Sequence, residues 1–310
     1  MRHDLITMGR VGVDLYPEQT GVRLKDVTTF AKSLGGSATN VAVAAARLGA
    51  RSAVITKVGD DPFGPFVREA LEGFGVDPRF VGTHPTLKTP VVFCEIFPPD
   101  DFPLLFYRDP KAPDMTLEPD ELDLDAIRDA RVFWTTGTGL SDEPSRAATL
   151  AALSARDGGI TVHDLDHRPM FWPEESEATR YAREALAHAT VAVGNRDEVA
   201  VATGTRDPED AADALLELGV ELAVVKRGPE GVLARTRDER VEVPPVPVEV
   251  VNGLGAGDAF GGALVHGLLE NWPLERTIRL ANAAGSHVAG KLLCSDAMPT
   301  LDELREVVEA

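Results

Sequence analysis

Short runs of consecutive apolar residues recur along the chain and constrain its fold more than any other feature. They are LITM (5–8), AVIT (53–56), VFW (132–134), ITV (160–162), VAV (191–193) and LAVV (222–225). A strand with one wet face alternates apolar and polar side chains. Consecutive apolar residues instead bury both faces, as in a parallel sheet covered on each side. Helical periodicity fills the intervals. In SATNVAVAAARLG (37–49), Val41, Ala44, Ala45 and Leu48 fall at i, i+3, i+4 and i+7. Ser37 is placed to cap that helix and Gly49 to end it. Further helices are expected near 63–73, 144–155, 176–188, 207–218, 255–269, 274–289 and 301–309. Such alternation specifies an α/β sheet flanked by helices.

Two stretches depart from the alternation. Residues 85–113 (PTLKTPVVFCEIFPPDDFPLLFYRDPKAP) hold two strand-like runs around a Pro-rich turn, without a helical period. Segment 10–30 is also helix-poor, with β-branched residues and Tyr16. Both read as parts of a small β flap beside the main sheet. The alternative is a pair of surface loops.

Composition narrows the partners. With 310 residues, the chain can bury a core without disulfide or metal staples. Its two cysteines, Cys94 and Cys294, make neither a disulfide framework nor, alone, a zinc site. A formal charge of −19 repels phosphate backbones and anionic lipid. Neither nucleic acid nor membrane is therefore an expected partner. The first residues hold no apolar run of signal-peptide length, and no stretch approaches the roughly 18 apolar residues of a membrane span. A cytoplasmic enzyme or binding protein is the expectation.

The densest glycine cluster, VNGLGAGDAF (251–260), surrounds one carboxylate, Asp258. It is not a P-loop, which requires GxxxxGK[ST]. It is not a dinucleotide fingerprint either, because Asp258 stands where the third glycine is needed. VEVV (248–251) reads as a strand, and Phe260, Ala263, Leu264, Gly267 and Leu268 keep helical spacing afterwards. The glycines then occupy a turn into a helix N-terminus, where unpaired N–H groups and the helix dipole favour an anion. Gly255, Ala256 and Gly257 would bare those groups to a phosphate. An acid beside an anion site makes sense if it takes a proton from an attacking hydroxyl. The competing explanation is a tight strand–helix junction with Asp258 as a first-turn acid.

NGLGAGDAF resembles the C-terminal signature, DTxGAGDxF, of the ribokinase-like (PfkB) carbohydrate kinases. GGSATNVAVAAARLG (35–49) resembles their N-terminal signature, about 215 residues upstream. The resemblance implies a three-layer α/β/α sandwich with a mostly parallel central sheet. It implies one domain over 1–310 and a small β lid from about 10–30 and 85–113. It implies ATP and Mg²⁺. Gly255, Ala256 and Gly257 would form the anion hole, and Asp258 would be the base. Asp14, Gly35, Gly36 and Asn40 would meet the sugar. HDLDHRPMFW (163–172) resembles the family's DxNxR segment, placing Asp164, Asp166 and Arg168 near the phosphates, with Asp166 replacing Asn. The alternative of a metal cluster at His163, Asp164, Asp166 and His167 lacks a further ligand pair. NRDE (195–198) matches NxxE, assigning Asn195 to the nucleotide and Glu198 to Mg²⁺ through its waters. Lys226 and Gly228, in VVKRGPEG, would line the nucleotide, with Asn282 and Ser286 on the adenine side. Asn252-Gly253 replaces the family's DT, which leaves activation by K⁺ open. Pairing through the β lid makes a homodimer the expected assembly.

For the substrate, Arg10, Arg108 and Lys111 in the flap and early loop suit an acidic sugar. Ordinary surface charges are the alternative. GRVGVDLYPEQ, CEIFPPDDFPL, YRDPKAPD and NGLGAGDAFGGAL resemble the branch of the family acting on 5-dehydro-2-deoxy-D-gluconate in inositol catabolism. The implied reaction moves the γ-phosphoryl of ATP to that acid's terminal hydroxyl. Competing readings are a kinase for another sugar or sugar acid (2-keto-3-deoxygluconate, fructose, ribose), a non-catalytic sugar or nucleotide sensor, and a dinucleotide-dependent dehydrogenase.

Overall fold

The computed structural model describes residues 2–305. The first third holds β1 (Leu5–Met8), β2 (Gly12–Pro17), β3 (Phe30–Gly35), α1 (Ser37–Arg47) and β4 (Ser52–Gly59). It continues with α2 (Phe63–Gly73), β5 (Val76–Asp77), β6 (Val81–His84), β7 (Val91–Cys94) and β8 (Leu104–Tyr107). Next come α3 (Leu124–Asp129), β9 (Val132–Thr136), α4 (Ser145–Ser154), β10 (Ile160–Asp164), α5 (Glu175–Leu186), β11 (Val191–Asn195) and α6 (Arg196–Thr203). The last third holds α7 (Pro208–Glu217), β12 (Leu222–Lys226), β13 (Val232–Arg235), β14 (Arg240–Val243), α8 (Ala256–Leu269) and α9 (Leu274–Ala289).

The main sheet runs β14-β13-β12-β11-β10-β9-β1-β4-β5, with β6 also on β4. It is parallel from β12 to β5, and β13 and β14 close one edge antiparallel. The consecutive apolar residues serve two cores. In β12, Leu222 and Val224 join the cluster containing α1, α8 and α9, while Ala223 and Val225 join the one containing α6 and α7. In β9, Val132 and Trp134 face one way and Phe133 the other. This is the mostly parallel, helix-covered sheet of a three-layer sandwich. Among the described residues, no helix is long and apolar enough to cross a membrane.

A second sheet, β3-β2-β7-β8, takes β2, β7 and β8 from the helix-poor stretches, while β3 runs past the expected boundary at 30 to Gly35. In β8, half-buried Leu104 and Phe106 alternate with exposed Leu105 and Tyr107. One face of this small sheet therefore looks inward and the other outward.

Several local expectations need correction. VEVV (248–251) is not a strand. Pro244, Pro245 and Pro247 remove ladder donors from the stretch leading into it, and it lies along α9 instead. The amides of Val251 and Asn252 both donate to Ala289 O, at 2.9 and 3.1 Å. Ser37 is not a cap: Gly36 holds that place with φ 104°, and Ser37 is the first helical residue. Gly49, at φ 96°, does end the helix. Of the helix expected at 301–309, residues 301–304 are turns, Arg305 is helical, and 306–309 lie outside the described residues. Strands β5, β6 and β14 and helix α3 carry too few apolar residues to stand out by pattern, whereas β13 holds an apolar run, Val232 to Ala234, that is not among the expected strands.

Helix α8 packs very close to α1. A Cβ at Gly262 would collide with Ala44 Cβ, and one at Gly261 would meet the buried Trp134 ring. Gly262→Ala should therefore lower the unfolding free energy by about 1–3 kcal/mol in urea titration. Gly73→Ala, at a helical position with open space around it, should be neutral or raise it by up to about 1 kcal/mol.

Candidate active site

Ligands of open α/β sheets gather beyond the carboxyl ends of the strands. Strand order converts residues far apart in sequence into a row there. Lys226 ends β12, Asn195 ends β11 and Asp164 ends β10. Thr138 follows β9 and Arg10 follows β1. A cavity of about 250 Å³ opens along this row. The N-terminus of α8 and the inward face of the small sheet also line it, through Gly255, Gly257, Asp258, Val92, Leu104 and Phe106.

The glycine-rich turn enters α8 through Gly255, whose φ of 80° lies in the left-handed region. A Cβ there would also overlap Cys294 Sγ. The first intrahelical bond runs from Ala259 N to Gly255 O at 2.9 Å, leaving the amides of 256–258 ahead of it. Asp258 accepts a hydrogen bond from Asn40 Nδ2 at 2.7 Å, and Asn40 Oδ1 accepts one from Ser295 Oγ at 2.8 Å. The close α1–α8 packing thus sets the Asn40–Asp258 contact. Burial pushes the Asp258 carboxyl up to about 6, with the Asn40 bond opposing.

Asp166 is the hub of the cavity floor. Its φ of 27° places it in left-handed backbone, which Asp and Asn tolerate best after Gly. Oδ2 accepts from Ser37 Oγ (2.7 Å), Thr138 Oγ1 (3.0 Å) and Arg10 (3.1 Å). Oδ1 pairs with Arg168 at 3.0 Å. Burial alone would raise Asp166, but Arg168 and Arg10 outweigh it and hold the carboxylate ionised. Asp164, equally buried, is raised well above the carboxylate range, chiefly by burial against the partial opposition of Lys226.

At the end of the row formed by β11 and β12, Glu198 is 6% exposed. Its Oε2 accepts from Asn195 N at 2.7 Å and lies 4.0 Å from Lys226 Nζ, while Oε1 lies 3.4 Å from Arg168. Burial lowers the Lys226 ammonium, but Asp164, Glu198 and Asp258 together raise it. At the opposite end, Tyr16 donates to Asp14 Oδ2 at 3.1 Å. Burial lifts Asp14 to about 6, with Tyr16 and then Arg10 opposing. Gly35 contributes through what it lacks, since a Cβ there would fill the space of the Asp14 carboxyl.

The structure brings most of the expected residues together. Arg10, Asp14, Gly36, Asn40, Arg108, Asp164, Asp166, Arg168, Asn195, Glu198, Lys226, Gly255, Gly257 and Asp258 all line the cavity. Gly35 and Ala256 adjoin it. Lys111 does not reach it: its ammonium sits on Asp142 at 2.7 Å and Glu143 O at 2.6 Å. Gly228 lies in the β12–β13 turn with φ 58°, also outside it. Asn282 and Ser286 are spent on the carbonyls of Pro244 and Val246. Ser286 borders a separate hollow of about 520 Å³ with Val246, Val248, Ala283 and His287. His163 turns away, its Nδ1 against Thr135 Oγ1 at 2.9 Å. Asn252 closes the glycine turn, accepting from Leu254 N and donating to Leu292 O.

Residues without a sequence signal also build the site. Thr138 comes from GTG (137–139), directly after β9. Cys294 and Ser295 come from a loop after α9, and Asp114 from the segment after β8. Asp114 meets the nearby Arg108, but its bond to Val11, that of Thr138 to Arg10 and that of Ser295 to Asn40 span sequence separations that no local pattern encodes.

Both oxygens of Asp166 accept, so an Asn there must turn its NH₂ toward a guanidinium. Asp166→Asn should cost about 3–5 kcal/mol in chemical denaturation, the range for breaking a buried ion pair. A loss under 1 kcal/mol would show that the two arginines do not depend on it.

Comparison with known proteins follows the same lines. The model of the family described as pfkB family carbohydrate kinase matches residues 2–301. A 5-dehydro-2-deoxygluconokinase from Geobacillus kaustophilus is 34% identical over 314 residues, covering 99% of this chain and 93% of the relative. One from Listeria monocytogenes is 33% identical over 313 residues, covering 99% and 96%. Among solved structures, a fructokinase double mutant from Vibrio cholerae O395, with fructose, ADP and potassium ion bound, superimposes with TM-score 0.87 at 26% identity and 99% coverage of both chains. A protein provisionally named ribokinase II from E. coli, in complex with ATP and Mg²⁺, shares the fold with TM-score 0.90 at 24% identity, again with 99% coverage of both. A parallel sheet with its polar row, an anion-ready helix start and these full-length likenesses converge: this chain belongs to the pfkB family of carbohydrate kinases and is an enzyme that phosphorylates a sugar.

Proposed function

We propose that the enzyme transfers the γ-phosphoryl of ATP to the terminal hydroxyl of a sugar acid, with 5-dehydro-2-deoxy-D-gluconate as the substrate. The observation that carries the reaction is Asp258: a buried carboxylate on the first turn of α8, held by Asn40 and beside unpaired amides. A carboxylate poised at about 6 is ionised at neutral pH and can still accept a proton. It takes the proton of the hydroxyl as that oxygen attacks phosphorus. The amides at Gly255, Ala256 and Gly257, with the helix dipole, stabilise charge on the transferring group. Asp14 and Asn40 hold sugar hydroxyls, and Gly36 lets the ring lie against the backbone. The names of the relatives at 31–34% identity support the acid named here.

Lys226, Asn195 and Arg168 face the phosphates of ATP. Both Glu198 oxygens already accept from protein donors, which fits an indirect hold on Mg²⁺ through water, with the remaining positions left to water and phosphate. Bound there, Mg²⁺ would neutralise charge on the phosphate oxygens. The adenine end is assigned to the hollow beside Ser286, close to Asn282 on α9. A homodimer through the outer face of the small sheet is supported by Leu105 and Tyr107, 47% and 61% exposed. Sedimentation velocity of the purified protein reads this directly, and a monomer at micromolar concentration would exclude it.

Fructose is the second reading, because the Vibrio cholerae fructokinase shares the fold at 26% identity. Coupled ADP-release assays over a panel of sugar acids and neutral sugars decide between them. Turnover of fructose with none of the dehydro-deoxy acid would reject the present assignment.

Asp258→Asn should reduce kcat by about 10²–10⁴-fold, while ATP binding by calorimetry is retained. Unchanged turnover would remove Asp258 as the base. The pH profile of kcat/KM has a defined sign. The base works ionised, and its pKa is raised, so activity is full above about 6 and falls below it. Asp14 titrates in the same window, so the acid limb should have a slope between one and two. A flat profile from pH 7 down to 5 would contradict this.

A further inference from the structure

Three basic residues stood as partners for an acidic substrate. They differ in what their donors already do. Lys111 is bound outside the cavity by Asp142 and Glu143 O. Arg10 lines the cavity, but its Nε donates to Thr138 Oγ1 at 2.9 Å and one terminal nitrogen to Ser37 and Asp166 at 3.0 and 3.1 Å. Arg108 is held more lightly. One terminal nitrogen donates to Asp114 Oδ1 at 2.6 Å. Its Nε and other terminal nitrogen have no hydrogen-bond acceptor among the described residues. The guanidinium lies over the Phe171 ring, 5.6 Å from its centroid. Asp114 is itself fixed, since its Oδ2 accepts from Val11 N at 3.1 Å.

Arg108 is therefore anchored at one edge, packed on one face and 11% exposed at the wall of the cavity. A guanidinium has five N–H donors in a rigid fork that matches a carboxylate bidentately. Desolvation strengthens such a contact, and preorganisation by Asp114 reduces the entropy lost on binding. Position agrees with chemistry. Arg108 enters the cavity just after β8 of the small sheet, whereas Asp258 enters from α8 in the body. A six-carbon sugar acid carries its carboxylate at the end opposite its terminal hydroxyl. The geometry points to Arg108 as the specificity-determining residue that binds the substrate carboxylate, with Asp114 as its positioning residue. This inference rests on the sugar-acid kinase reading above.

Steady-state kinetics on the full chain test it, with 5-dehydro-2-deoxy-D-gluconate and ATP each varied. Arg108→Gln should raise KM for the acid at least 30-fold, with kcat within threefold and KM for ATP within twofold. Arg108→Lys keeps the charge without the fork and should fall between. If Arg108→Gln fails to fold because Asp114 loses its partner, Arg108→Gln/Asp114→Asn removes both charges and carries the same expectation. An unchanged KM for the acid, or equal rises in KM for acid and ATP, would overturn the proposal. So would a loss produced by Lys111→Gln and not by Arg108→Gln. A wild-type enzyme that turns over neutral hexoses but no sugar acid would instead overturn the reading on which the proposal stands.

Discussion

The parallel register from β12 to β1 is the constraint on which the rest depends. Parallel strands point every carboxyl end to one side of the sheet. Lys226, Asn195, Asp164, Thr138 and Arg10 therefore emerge as neighbours in strand order. That register exists because consecutive apolar residues bury both strand faces, as Leu222 to Val225 show by dividing between two cores. Apart from a few buried side chains such as Thr7, Thr56 and His163, polar groups then gather where strands end. The fold concentrates chemistry at one rim because the hydrophobic effect excludes it from elsewhere.

Within that rim, four buried carboxylates meet different fates. Asp166 faces two guanidiniums and stays ionised as a structural anion. Asp258 and Asp14 have weaker compensation and rise to about 6, while Asp164 rises further among neighbouring acids. Asp166 is thus paired and Asp164 held toward its protonated form, so neither adds free negative charge beside Asp258 and Asp14. Packing supplies the aim: Gly262 lets α8 approach α1 closely enough for Asn40 to grip Asp258.

Two glycines, one from each glycine signature, carry different loads. Gly255 needs its left-handed φ and the space taken by Cys294. Gly35 exists for the Asp14 carboxyl. Both were legible as part of a glycine-rich motif, but the reason for each lies in a partner distant in sequence. Asp166 shows the same division. Its departure from the family's Asn was visible in HDLDHRPMFW, whereas its meaning, two arginines and two hydroxyls on one carboxylate, required the fold.

The chain's own sequence determined the elements with strong periodicity: the buried strands, most of the long helices, the two helix-poor stretches that became the small sheet, and the two glycine signatures. These are local properties, set by burial pattern and backbone freedom within a few residues. Only the tertiary structure decided that VEVV is an extended prop along α9, since that depends on which donors a partner can meet. It alone separated Lys111 from Arg108, because a charge's availability depends on counter-ions that arrive from elsewhere in the chain. It alone recruited Thr138, Asp114 and Ser295. Long-range contacts have no sequence period, so pattern reading reaches the scaffold and the motifs, and packing decides which side chains remain free to act.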